Sequence, residues 1–315
     1  MERIRLGISS CLLGERVRYD GGHKLDPFLT RTVGRYVEWV PVCPEAGSGL
    51  PVPRDAMRLM GGPSRPRLVT IDSGIDHTDR LLGWAKKKLA RLEPLDLCGF
   101  VLKSRSPSCG LRAVKIFTKR GRPSGSGPGL FAGALMDRFP LLPVEDEERF
   151  RDPVLRENFI ERLFVYKRWT QYRRRDGSVG GLFSFHEEHE LLVIAHSRDH
   201  HATLGKLVSA AGKMKQGELL ARYGATLLEG LRYIATTRKN TNVLRRLAGY
   251  FRRQISPEER WELGGAIENY CQGLVPLVVP VTLIRHYARE YGSEYLVRQR
   301  FLNPDPLELT LRNHA

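Results

Sequence analysis

The pattern of apolar and polar positions divides the chain into two unlike halves. In the first, short apolar runs alternate with longer segments of helical period. Ile4–Ser9, Val37–Val42 and residues 68–71, 99–103, 113–117 and 141–144 read as strands. Helical stretches are predicted over 26–36, 76–92 and 131–138. In the second of these Leu81, Leu82, Ala85, Leu89 and Leu92 recur at helical spacing, with Lys86, Lys87 and Lys88 on the outer side. Residues 119–129, rich in Gly, Pro, Ser and Arg, read as an exposed mobile loop. This order predicts an α/β N-terminal domain with a mostly parallel sheet.

The acidic run 145–148 marks the boundary, and the pattern beyond it is almost entirely helical. Asp152-Pro153 supplies an N-cap and a first-turn proline for a helix reaching about residue 175. Further helices are predicted over 184–195, 200–211, 215–238, 240–254, 257–272 and 281–291. Ser256-Pro257-Glu258-Glu259 combines a capping hydroxyl, a first-turn proline and acids that suit the helix dipole. The expected organisation is therefore an α/β domain over 1–146 followed by an all-α C-terminal domain over 147–315.

Composition narrows the classes of function. No apolar run approaches the roughly 20 residues needed to cross a bilayer. The longest, 273–284, is broken by Pro276 and Pro280. The first residues enter a strand pattern without a signal-peptide core, so a cytoplasmic protein is expected. Five cysteines in a reducing compartment argue against a disulfide framework and toward metal binding or catalysis. The net charge of +16 is spread over both halves and points to a polyanion, nucleic acid first, with solubility alone as the plainer account.

Three cysteines stand in matching contexts, each after a predicted strand: Cys11 in S-S-C-L-L-G, Cys43 in V-P-V-C-P-E and Cys109 in K-S-R-S-P-S-C-G. Functional groups of an open α/β sheet collect beyond the carboxyl ends of its strands, so these thiols could meet without any CxxC motif. Soft sulfur ligands select iron–sulfur clusters or zinc, while a free cysteine is as often a small buried hydrophobe. Cys98 and Cys271 read as packing residues. Glu45, two residues past Cys43, suits a general base. Ser104, Ser106 and Ser108 around Arg105 offer hydroxyls and a cation, or simply loop hydrogen bonds.

The segments S-S-C-L-L-G-x-x-V-R-Y-D-G, V-P-V-C-P-E-x-G-S-G-L-P-V-P-R and V-L-K-S-R-S-P-S-C-G resemble the signatures of the thiouracil desulfidase family, over about residues 1–145. The resemblance implies that Cys11, Cys43 and Cys109 hold a 4Fe-4S cluster whose open iron takes the sulfur of a thiocarbonyl substrate. It also implies Glu45 and Ser106 as catalytic groups, with water replacing sulfur in a non-redox reaction. Cys98 lies outside that ligand pattern.

The second half resembles the YbgA-like helical domain in F-H-E-E-H-E-L-L-V-I-A-H-S and L-E-L-T-L-R-N-H. Fusions of the two domains look like tRNA 4-thiouridine desulfidases, which implies thiolated tRNA as substrate and partner. Arg238, Arg245 and Arg252 are spaced by seven, as are Lys239, Arg246 and Arg253. On one continuous helix these six form a stripe able to follow phosphates, or an ordinary solvated face. Lys167-Arg168 and Arg173-Arg174-Arg175, with Trp169 and Tyr172, form a second cationic cluster whose aromatics either stack on bases or pack in the core. His186, His189, His196, His200 and His201 raise a metal reading, set against capping, packing or RNA contact. Two rival functions remain open: a desulfidase of free thiouracil, and a nucleic-acid-binding protein with a structural zinc.

Overall fold

The computed structural model describes residues 4–314. In chain order its elements are β1 (Ile4–Ser9), β2 (Val37–Val42), α1 (Pro44–Gly47), β3 (Met57–Met60), β4 (Arg67–Thr70), α2 (Thr78–Leu92), β5 (Gly99–Leu102), β6 (Val114–Phe117), β7 (Pro123–Gly127), α3 (Leu130–Arg138) and β8 (Val144–Asp146). Helices follow: α4 (Pro153–Arg175), α5 (Val179–His196), α6 (Arg198–Ser209), α7 (Gln216–Gly230), α8 (Thr237–Tyr250), α9 (Pro257–Cys271), α10 (Val278–Glu290), α11 (Glu294–Arg298) and α12 (Pro306–His314). The chain forms two compact units. One runs to Tyr166 and includes the chain from Thr310; the other is Lys167–Leu309.

The first unit carries two sheets. One has the order β2-β1-β5-β8 and is parallel throughout. The other, β4-β3-β6-β7, is mixed. Phe100, Phe131, Leu135, Leu81, Ala85 and Leu89 fill the core with the inward faces of α2 and α3. Because β2, β1 and β5 are neighbours and point the same way, the loops bearing Cys43, Cys11 and Cys109 leave the same sheet edge.

Several sequence expectations need correction. The loop expected over 119–129 contains strand β7, an edge strand held to β6 by backbone hydrogen bonds that need no apolar pattern. Strand β3 had no counterpart in the prediction. The acidic run read as a boundary begins inside β8, where Glu145 and Asp146 are buried. Glu145 is paired with Arg112 and Arg149, which is what permits a carboxylate there. Residues 26–36 wind as a π turn and a 3-10 turn, with Asp26 Oδ1 accepting from the Phe28 and Leu29 amides.

In the second unit the helix expected over 215–238 stops at Gly230 and restarts at Thr237, where the Thr236 hydroxyl accepts from the Lys239 amide. The helix expected over 240–254 ends at Tyr250. α9 begins at the expected Ser256 cap, which the structure extends to a capping box, Ser256 and Glu259 satisfying each other's backbone amides. Cys271, expected to pack, is exposed at the end of α9. No helix among the described residues is long and apolar enough to cross a membrane.

Candidate functional site

A cavity of about 380 Å³ opens at the carboxyl edge of the parallel sheet, and Cys11, Cys43 and Cys109 all line it. Each thiol owes its place to local chemistry. Cys11 sits in the 3-10 turn that follows β1 and is closed by Gly14, whose φ of 94° suits glycine. Cys43 caps the four-residue helix α1, with Pro44 at its first position. Cys109 lies in a loop drawn tight at Gly110, where any Cβ would fall 2.7 Å from the Ser106 carbonyl oxygen.

The thiols influence one another. Burial, with Cys43 beside it, pushes the Cys11 thiol up to about 11. Burial likewise raises Cys43, and it drives Cys109 well above the ordinary thiol range. Arg18 and Lys103 act in the opposite direction on Cys11, favouring its thiolate. Arg18 also lines the cavity; its Nε lies 3.5 Å from Asp20 Oδ1 and, among the described residues, makes no hydrogen bond. Among the described residues no three His, Cys, Asp or Glu side chains gather closely enough to hold one metal ion. Three soft donors spread around one cavity fit a group with several metal centres better than a single ion.

Glu45 lines the same cavity and is held from two sides. Arg54 Nε donates to its Oε2 at 3.1 Å, and Arg54 Nη2 donates to the same oxygen. The Ser108 hydroxyl donates to Oε1 at 2.9 Å. Arg54 is itself tied down, through Nη2 to the Val17 carbonyl and Nη1 to the Pro51 carbonyl, each at 3.0 Å. Ser106 also lines the cavity; its Oγ accepts from the Ser108 and Cys109 amides at 3.2 and 3.1 Å. Both lone pairs are thereby used, which leaves the hydroxyl proton as the part of Ser106 able to serve a ligand. Ser104 is engaged elsewhere, donating to Glu147 at 2.8 Å beside the Lys103–Glu147 ion pair.

The sequence reading missed Arg54, although it closes the second cysteine motif, and it gave Ser108 no separate role. Cys98 is buried away from the cavity wall, its thiol donating to the Asp96 carbonyl at 3.7 Å.

The cationic stripe is not continuous. Arg252 and Arg253 lie past the end of α8, because the helix closes at Phe251. Lys239 Nζ donates to the His196 and Ile234 carbonyls. Arg245 pairs with Glu268 and Arg246 with Glu190. Arg238, Arg252 and Arg253 are exposed and, among the described residues, have no carboxylate partner. In the second cluster Trp169 is fully buried and stacks on Tyr223, and half-buried Tyr172 packs on Trp169 and Phe185 with its hydroxyl donating to the Ser178 carbonyl. Arg168 is engaged with His189 and Glu308. The five histidines do not gather at one point: His186 contacts Tyr223 and stacks on His201, His189 bonds the Phe185 carbonyl and Arg168, His196 the Tyr233 carbonyl, His200 Ser197, and His201 Glu190.

Comparison with known proteins follows the same division. The 2-thiouracil desulfurase family matches residues 6–147, and a family described as a protein of unknown function (DUF1722) matches 190–306. The uncharacterized protein YbgA of Escherichia coli (strain K12) is 29% identical over 167 residues, covering 53% of this chain and 96% of YbgA. The uncharacterized protein YbbK of Bacillus subtilis (strain 168) is 32% identical over 126 residues, covering 38% of this chain and 83% of YbbK. A solved structure, the 4Fe-4S-dependent thiouracil desulfidase TudS, is 32% identical, covers 47% of this chain and 93% of its own, and superposes with a TM-score of 0.37. The segment shared with the first family contains all three cysteine loops together with Glu45 and Arg54, and on that match the chain belongs to the 2-thiouracil desulfurase family.

Proposed function

We propose that the protein replaces the sulfur of a thiolated pyrimidine by oxygen in a non-redox hydrolysis, with 4-thiouridine in tRNA as the substrate. The observation that carries the desulfuration is the single cavity lined by three thiols, a clamped carboxylate and a hydroxyl. Cys11, Cys43 and Cys109 would hold a 4Fe-4S cluster; when bound, it supplies a Lewis-acidic iron for the thiocarbonyl sulfur. Such a cluster and five free thiols suit the reducing cytoplasm.

The chain's own residues supply the rest. Arg54 occupies Glu45 Oε2 and fixes the carboxylate plane, which leaves Oε1 to take a proton from water. Ser108 holds Oε1 in that orientation. Ser106, with both lone pairs engaged, donates its proton toward the substrate. Water adds its oxygen to the ring carbon, the carbon–sulfur bond breaks, and sulfur leaves as hydrosulfide. The charge of +16 supports a polyanionic substrate. A second reading, hydrolysis of free 2-thiouracil, is favoured by the description of the matching family.

Anaerobic purification with iron and sulfide assays tests the cluster: Cys11→Ala, Cys43→Ala and Cys109→Ala should each abolish it, and Cys98→Ala should not. Sulfide release from thiolated tRNA compared with free thiouracil then separates the two readings. Faster turnover of the free base would remove tRNA from the proposal.

A further inference from the structure

The helical unit contains a cavity of about 360 Å³ lined by Ile194, Arg198, His201, Asn242, Val243 and Arg246. Ile194 and Val243 are buried. The remaining four are hydrogen-bond donors or can become so, and two are permanently cationic. Arg198, the first residue of α6, is exposed and has no carboxylate partner among the described residues. Asn242 is exposed on α8.

Arg246 and His201 are oriented from behind by Glu190, at 3.4 and 3.5 Å, and Glu190 also accepts from the Tyr295 hydroxyl at 2.9 Å. One carboxylate thus holds a guanidinium and an imidazole, while Arg198 has no carboxylate partner among the described residues. A guanidinium has five N–H donors in a planar fork, so Arg246 keeps donors beyond the one given to Glu190. A cavity with an apolar floor, two guanidinium groups, an imidazole and a carboxamide matches a tetrahedral oxyanion carried on a larger group.

We infer that this cavity binds a backbone phosphate of the RNA substrate. The inference deepens the RNA reading above and rests on it. It moves the phosphate-binding role from the interrupted stripe on α8 to a concave site shared by α5, α6 and α8. Arg246 is the one residue common to both.

The test uses the full-length holoenzyme and measures affinity for a thiolated tRNA transcript across a salt series. Arg198→Gln/Arg246→Gln should weaken binding roughly tenfold or more, since each guanidinium removed takes a charge-assisted hydrogen bond with it. The slope of log affinity against log salt should flatten by roughly 0.7 to 0.9 for each phosphate pairing removed. Arg198→Gln alone breaks no ion pair and should show about half of that flattening. Arg222→Gln/Arg232→Gln, an equal charge change on the same unit, should leave both values near wild type. Equal losses in the two double variants would overturn the site in favour of diffuse attraction. If the wild type binds no tRNA, the RNA reading fails, and titration with inorganic phosphate judges the cavity alone. Movement of the His201 imidazole NMR signals, absent in Arg198→Gln, would support a site for free phosphate; unchanged signals would overturn it.

Discussion

Removing the cation that holds the candidate base gives the sharpest test of the catalytic cavity. Arg54→Met keeps an apolar stem of similar length but deletes four donated hydrogen bonds, two to Glu45 Oε2 and one each to the Val17 and Pro51 carbonyls. The side chains of Arg54 and Glu45 are only 5% and 15% exposed, so the carboxylate loses its partner where water is a poor substitute. Breaking a buried pair from one side typically costs about 3–5 kcal/mol. Glu45 borders a cavity that can admit water, so the lower end of that range applies. For a domain of this size each kcal/mol shifts the melting temperature by about 2–4 °C, which predicts a fall of roughly 6–12 °C. Circular dichroism melts of the full chain measure it. Adding Glu45→Gln should recover part of the loss, because the pair is then removed from both sides, with a coupling of about 1–3 kcal/mol. Arg54→Lys should fall between, keeping the charge but not the fork. Melting of Arg54→Met within about 2 °C of wild type, below what one kcal/mol would produce, would refute the reasoning. So would strict additivity in the double variant.

Three further outcomes follow from the same geometry. Glu45→Gln should keep iron and sulfide content while slowing sulfide release by about 10²–10⁴, the usual contribution of a general base; near-normal release would exclude Glu45 from that role. In metal-free protein, exposed Cys271 should be alkylated rapidly at neutral pH, whereas buried Cys11 and Cys109 and half-buried Cys43, all with thiols raised, should react slowly, Cys11 gaining rate as pH rises toward about 11; equal rates, read by mass spectrometry, would contradict the burial argument. Hydrogen bonding from His201 lowers Glu190 from 4.5 to about 2. Its stabilising contribution is therefore complete above about pH 4.5 and lost as pH falls toward 2. Glu190→Gln should flatten the decline in melting temperature across that window.

How far the site was legible in the sequence depended on whether a residue's role could be read from its own neighbourhood. Cys11 and Cys43 stand just past apolar runs that read as strands and Cys109 a short polar loop past another, so their meeting at one sheet edge was one of the outcomes the one-dimensional pattern allowed. Arg54 stands nine positions after Glu45 across a turn with no periodicity, and only its place at the end of the second cysteine motif sets it apart from other arginines. The burial of Glu145 was invisible because its partners Arg112 and Arg149 come from different segments, one of them 33 residues away. β7 was missed because Pro123–Gly127 carries no apolar face and is held by its backbone. The continuity expected of the stripe on α8 was misread for a different reason. Heptad spacing puts residues on one face only while the helix lasts, and this helix closes at Phe251, before the third pair of cations.

The placement of the thiols also explains why cations surround them. Thiols gathered at one cavity raise a neighbour's affinity for protons: Cys43 acts so on Cys11, and both act so on Cys109. Metal binding requires thiolates, so loading the site must release protons against that resistance. Arg18 and Lys103 oppose it directly by favouring the Cys11 thiolate, and Lys103 is itself fixed by Glu147 at the foot of the Cys109 loop. Arg54 is paired with Glu45, and the two act on Cys43 in opposite directions, the carboxylate raising its thiol and the guanidinium lowering it. The V-R-Y-D-G, L-P-V-P-R and V-L-K-S segments each contribute one cation to a pocket whose other side they also build. A fold that delivers three thiols to one sheet edge needs such compensation from the same loops, because those loops make most of the cavity wall.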